Sequence, residues 1–179
     1  QAADRFVVVQ NGYDEDVFVG VQPDRAGVPA DKLLMLHSGL IYPGDRNPRE
    51  FFAAVKSLLD EGRLQRERLH IRFRAPVHGN EVMRVARDNC LEDLVEIAGP
   101  LPHGQAIAEM MGADLLLIFQ GSGFNAQIPA KIYEYLRAQR PVLAAVDPSG
   151  DTAAMAAQFQ QVHIANIASH EENHAALVR

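Results

Sequence analysis

Ala113-Asp-Leu-Leu-Leu-Ile-Phe119 is an almost unbroken apolar run. A strand with one wet face alternates polar and apolar residues, so a run like this predicts a strand buried on both faces of a parallel sheet. Gly121-Ser-Gly-Phe-Asn-Ala-Gln127 follows as a loop, then a Pro-started helix at Pro129 bearing Lys131 and Glu134, then a buried strand from Pro141 to Val146. Parallel neighbours need a crossover between them rather than a tight hairpin, and a helix supplies it. The same alternation runs through the chain. Further strands are expected at Phe6–Val9, Lys32–His37, Leu69–Phe73, Leu94–Ile97 and near Val162–Ile164. Helices are expected from Asn47 to Gly62, Asn80 to Asn89, His103 to Met111, near Thr152–Phe159, and from Ser169. This order predicts an α/β, Rossmann-like, doubly wound parallel sheet with helices on both faces.

Local chemistry supports the boundaries. Asn47-Pro48-Arg49-Glu50 offers an N-cap, a proline at the first helical position and a glutamate able to reach back. Phe51, Phe52, Val55, Leu58 and Leu59 make the apolar stripe of that helix, and Gly62 suits a left-handed cap at its end. Residues 20–31 are rich in Gly and Pro and read as a connector. We therefore expect residues 1–31 to be an entry strand and connector from a missing N-terminal domain, and residues 32–179 to form the Rossmann-like core.

The 179 residues suit one domain, and a net charge of −6 argues against a dedicated nucleic-acid binder. Cys90 is the single cysteine; no disulfide framework is possible, a reducing cytoplasmic compartment is expected, and the thiol is expected to be packed and inert. No apolar run approaches the roughly 20 residues of a spanning helix, so no membrane span is expected in this chain. The chain opens on Gln1-Ala-Ala rather than methionine, which suggests a piece of something longer.

Ligands of open α/β sheets bind beyond the carboxyl ends of the strands. Gly39 and Arg46, after the strand ending at His37, could present backbone N–H groups and a guanidinium to phosphate; a turn glycine and a solvated arginine are the plainer alternative. The Gly121–Gln127 loop could approach a ligand closely or be only a flexible connector. Lys131 and Glu134 share a helix face and could be either a surface ion pair or a binding pair. His37 ends a strand near the expected crevice, although a satisfied structural histidine is the commoner outcome. There is no G-x-G-x-x-G, no G-x-x-x-x-G-K-[ST] and no G-x-S-x-G in the chain. A dinucleotide enzyme, an NTPase and a hydrolase triad therefore lack support. No zinc site is expected, and no metal ligands are assigned.

With these residues placed, the chain resembles the C-terminal, nucleotide-sugar-binding domain of a GT-B glycosyltransferase, in the large group that includes glycosyltransferase family 4. Val8-Val-Gln-Asn-Gly-Tyr-Asp14 with Phe18 is similar to the run that enters the second domain of that family. Ser38-Gly39, Arg46 and the Pro48 helix resemble the loop that holds the donor diphosphate. Ile97-Ala-Gly-Pro-Leu101 resembles the turn whose backbone borders the nucleotide base, which implicates Gly99 and Leu101. Lys131-Ile-Tyr-Glu-Tyr-Leu136 and Arg140-Pro-Val-Leu143 resemble a run common among polysaccharide-building members.

The resemblance implies that Glu134 binds the donor ribose, that Arg46 and Lys131 neutralise the diphosphate as the catalytic cations, and that Gly39, Phe124, Asn125, Ala126 and Gln127 border phosphate and sugar. It implies no cofactor, and a UDP-, GDP- or ADP-linked sugar as donor. The acceptor, a glycan or a lipid-linked molecule, would be held by the missing N-terminal domain, with the full-length protein peripheral at the membrane face if the acceptor is lipid-linked. The expected activity is that of a hexosyltransferase, absent in the isolated domain. Two departures stand out: Ala126 occupies the position, eight residues before Glu134, where the family often has a sugar-contacting glutamate, and Gln139 stands where glycine is usual. A binding-only GT-B domain or a GT-B-fold nucleotide-sugar epimerase are the alternatives.

Overall fold

A computed structural model describes residues 9–178. Six parallel strands, β1 (Leu33–Ser38), β2 (Leu69–Arg74), β3 (Val95–Ala98), β4 (Leu115–Gln120), β5 (Val142–Val146) and β6 (Val162–Asn166), form one sheet in the order β3-β2-β1-β4-β5-β6. The helices between and after them are α1 (Arg49–Asp60), α2 (Gly79–Asp88), α3 (His103–Gly112), α4 (Lys131–Arg137), α5 (Asp151–Ala156) and α6 (His170–Leu177). The α/β, doubly wound expectation holds. The expected Phe6–Val9 strand falls outside the described residues, except Val9, which is not in a strand.

Side chains divide between the two faces with a period of two, as a pleated strand requires. Met35 of β1, Phe73 of β2, Leu117 and Phe119 of β4 and Leu143 of β5 face α1, α2 and α6. Leu34, Leu36, Leu116, Ile118, Val142 and Ala144 face the other way, onto Ile107 of α3, Ile132 and Tyr135 of α4 and Ala153 of α5. On the first face Phe51, Phe52, Phe73 and Phe119 pack ring on ring with centroids 5.5–6.1 Å apart. Burial of each such ring stabilises the fold by about 1.5–3 kcal/mol, so this cluster anchors α1 to the sheet.

The alternation in β2 does not produce a wet face. Arg72 and Arg74 are buried beneath α3, where Glu109 is also buried. Arg72 Nη1 donates to Glu109 Oε1 at 2.7 Å and Arg74 Nη2 to the same oxygen at 2.6 Å, while Arg74 Nε reaches Oε2 at 2.9 Å. Arg72 Nε also donates to Glu96 at 2.8 Å. Burying these charges is tolerated because each is paired and hydrogen-bonded. Residues 9–31 contain a single 3-10 turn (Glu15–Val17) capped by Asp14. They dock by burying Phe18 and Val28 against the α3–α4 side.

Some element ends differ from expectation. Helix α1 begins at Arg49 rather than Pro48, which takes the N-cap position, while Asn47 Oδ1 accepts from Arg49 N at 3.1 Å just ahead of it. Helix α4 begins at Lys131, two residues past Pro129, because Ile132 N and Tyr133 N bond tightly back to Pro129 O and Ala130 O in 3-10 fashion. Cys90 is exposed, not packed: α2 closes with Leu91 N bonded to Ala86 O, and Cys90 takes the left-handed position (φ 57°) that points its side chain outward. Gln139 sits at the equivalent place after α4 with φ 56°. A non-glycine residue there carries about 1 kcal/mol of strain, so Gln139→Gly is expected to raise the melting temperature by about 2–4 °C, measured by calorimetry.

Candidate functional site

The order β3-β2-β1-β4-β5-β6 reverses between β1 and β4, which makes that junction the topological switch point. These two strands pair only at Met35–Leu115 and Leu36–Leu116 and then part. Two side chains take up the backbone groups on the lips of the opening. Ser38 N donates to Tyr135 Oη at 2.9 Å, and His37 Nδ1 lies 2.9 Å from Leu117 O. The carbonyl can only accept, so Nδ1 carries the proton and Nε2 is left as an acceptor. Lys131 Nζ, 3.2 Å away, donates to that Nε2 lone pair. His37 is buried, and burial first, then the adjacent Lys131 charge, hold its imidazole well below the usual histidine range, hence neutral at pH 7. Burial likewise pushes the Tyr135 phenol upward, so it stays protonated.

Gly39 lies against the same amine. Its φ is +109°, which favours glycine, and a Cβ added there would stand 3.1 Å from Lys131 Nζ. The Gly39 amide is already used, bonded to Arg74 O at 2.9 Å, so glycine here provides space for Lys131 rather than a free donor. Lys131 is partly buried, and desolvation, then the nearby Arg46 guanidinium, push its ammonium down to about 7 against a weaker opposing pull from Glu134. Glu134 Oε1 is 3.0 Å from His103 Nε2, at the start of α3.

Arg46 is not a solvated arginine. Its guanidinium lies 4.9 Å from the Tyr42 ring centroid and 5.1 Å from that of Phe124, with the two rings nearly parallel, 25° apart. Its Nε is buried without a hydrogen-bond partner, and Nη1 makes only a long 3.5 Å approach to Leu40 O. Two cations close enough to perturb each other make this place attractive to anions.

Several backbone donors of the β4–α4 loop are already engaged. Gly121 N donates to Asp45 O, and Gly123 N to Asp45 Oδ1 at 3.1 Å. A Cβ on Gly123 would fall 2.6 Å from that carboxylate oxygen. Phe124 N and Gln127 N are spent on Gly121 O and Phe124 O within the loop. Gln127 O accepts from Gln120 and Thr152, and Asn125 Nδ2 donates to Ser149 Oγ at 3.1 Å. Asn125 and Gln127 thus strap the loop to β4, β5 and α5. Exposed Ala126 lines a separate cleft with Val9, Asn11, Ala130 and Tyr133.

Of the residues named from sequence, Gly39, Arg46, Phe124, Lys131 and Glu134 converge on the switch point. Gly99 and Leu101 lie past β3, where Gly99 O accepts from Arg74 Nη1 at 2.7 Å. Asp45, Tyr42, Tyr135 and His103 were missed. Asp45 lies 78 residues from the Gly123 it caps, and His103 lies 31 from Glu134; no local pattern connects them.

No family model and no curated protein matches the chain. Solved structures do. WaaG, a glycosyltransferase involved in lipopolysaccharide biosynthesis, is 18% identical with a TM-score of 0.73, over 97% of this chain and 46% of its own. The chain has the fold of one GT-B half. Sucrose-phosphate synthase from Thermosynechococcus elongatus is 14% identical at TM-score 0.68, over 94% of this chain and 41% of its own. A UDP-forming α,α-trehalose-phosphate synthase from Burkholderia xenovorans is 15% identical at TM-score 0.62, over 83% and 35%. The chain thus spans less than half the length of these structures. Among the described residues, no helix of this GT-B-like domain is long and apolar enough to cross a membrane.

Proposed function

We propose that the switch point binds the nucleoside diphosphate moiety of a sugar donor, and that joined to a second domain the chain serves as the donor half of a hexosyltransferase. The observation that carries this is the meeting of Lys131, Arg46 and Glu134 around Gly39 where β1 and β4 part. The diphosphate would engage Lys131 and the Arg46 guanidinium, and Glu134 would exchange His103 for the ribose hydroxyls. In transfer, charge grows on the departing diphosphate, and two fixed cations would stabilise it without reorganising. Leu101, beyond β3, would border the base. Acceptor binding, to a glycan or a lipid-linked molecule, belongs to the second domain, and with it a place in the cytoplasm or at a membrane face.

A binding-only domain is the second reading, favoured by exposed Ala126 and by the commitment of the Gly121 and Gly123 amides to Asp45. An alanine offers no carboxylate to a sugar hydroxyl.

Isothermal titration with UDP, GDP and ADP tests the shared part. At least one is expected to bind, and Glu134→Ala should weaken it about 10–100-fold, the value of hydrogen bonds to a charged group. If none of the three binds, the proposal fails. Sugar-nucleotide turnover by the full-length protein separates the two readings.

A further inference from the structure

His37 makes none of the nucleotide contacts proposed above, yet it is buried with both ring nitrogens engaged. Its ring packs against both Phe73 and Phe119, with centroids 5.7 and 5.5 Å away, so it cannot turn freely. Leu117 O fixes the Nδ1–H tautomer, which leaves a single lone pair, on Nε2, aimed at Lys131. Lysine is the flexible member of this pair, with a four-carbon stem and three rotatable donors. Resting on the nucleotide-binding reading, we propose that His37 is a positioning residue: its Nε2 lone pair holds the Lys131 amino group over Gly39, in the place where a diphosphate oxygen is bound.

The surrounding charges make such an anchor useful. Lys131 faces His37 from β1, Arg46 from the β1–α1 loop, and Glu134 from its own helix, with His103 of α3 paired to Glu134. Arg46 repels the ammonium, and Glu134 attracts it. A neutral acceptor fixes the amine between them without adding charge of either sign. The depressed values of both His37 and Lys131 agree with this: a protonated imidazole there would be a third cation and would have no lone pair to offer.

Two substitutions separate this role from a structural one. His37→Asn keeps an amide donor near the Nδ1 position for Leu117 O but cannot reach Lys131. His37→Gln places an acceptor near the Nε2 position but gives up the Leu117 bond. Affinity is measured for whichever of UDP, GDP and ADP binds the wild-type chain most tightly, from pH 6 to 9, with thermal melting of each variant recorded. Asn is expected to weaken binding about 10-fold and Gln less than about 3-fold, near the worth of one hydrogen bond. Asn should also alter the pH profile of binding, which Gln preserves. The reverse order, equal effects, or affinity losses that simply follow the loss of melting temperature would overturn the proposal. A wild-type chain that binds none of the three diphosphates would overturn the nucleotide reading itself and this role with it. A wild-type chain that binds normally while His37→Asn does too would remove only the positioning role.

Discussion

Replacing Lys131 with methionine is expected to weaken nucleoside diphosphate binding about 30–100-fold, equivalent to about 2–3 kcal/mol for a charge-assisted contact. The stem is retained and the charge lost, so the effect isolates the amine. The pH dependence has a definite sign. Free Lys131 titrates at about 7, so it is charged below that pH and increasingly neutral above it. A bound diphosphate favours the ammonium and raises its pKa. Wild-type affinity should therefore fall as pH rises above about 7, and Lys131→Met should show no such fall from this group. Folding stability responds in the opposite direction. Between about 7 and the unfolded lysine value near ~10.4, the unfolded chain holds a proton that the folded chain has released, so raising pH across this window favours the folded state. In the methionine variant that rise disappears. Titration calorimetry at pH 6, 7.5 and 9 checks the first expectation, and denaturant unfolding from pH 7 to 10 checks the second. A pH-independent affinity identical in the two proteins would show that Lys131 takes no part.

Glu109→Ala is expected to cost about 3–5 kcal/mol of folding stability, the penalty for leaving buried charge uncompensated. The substitution removes the carboxylate shared by Arg72 and Arg74, both buried in β2. The two guanidiniums would then face each other under α3 with little access to water. Each kcal/mol shifts the melting temperature by about 2–4 °C in a domain of this size, so a drop of about 6–20 °C is expected. Glu109→Gln, which keeps the shape and part of the hydrogen bonding, should fall between. Calorimetry decides it: an alanine variant melting within 2 °C of wild type would mean that water reaches the cluster freely. The consequence extends to the site, because Arg74 also holds Gly99 O through Nη1 and accepts from the Gly39 amide through its carbonyl.

Much of the architecture was legible because it is written in local periods. The unbroken run ending at Phe119 and the β-rich run Val142–Val146 became central strands buried on both faces. The stripe Phe51, Phe52, Val55, Leu58 became the buried side of α1. Turn chemistry was equally legible at Gly62, which adopts φ +69°. Cys90 was misread because its side-chain type suggests burial, whereas its place in the chain, two past the end of α2, fixes an outward direction. The polar half of β2 carried no hint that its arginines would be covered, since their counter-charge is 35 and 37 residues away.

The site divides in the same way. Lys131 and Glu134 could be picked out because one helical turn places them together at the end of a recognisable strand–loop–helix unit. That Lys131 is held by His37 across 94 residues, and that Asp45 occupies amides of the Gly121–Phe124 loop, depended on where β1 and β4 part. The sequence by itself determined the alternation of strands and helices, their buried faces and the residues able to meet an anion, because periodicity and turn preference act over a few neighbouring residues. Only the tertiary structure decided which of those residues come together and what charge state they hold there. Those properties come from burial and from distances between side chains that sheet order, not chain order, brings together.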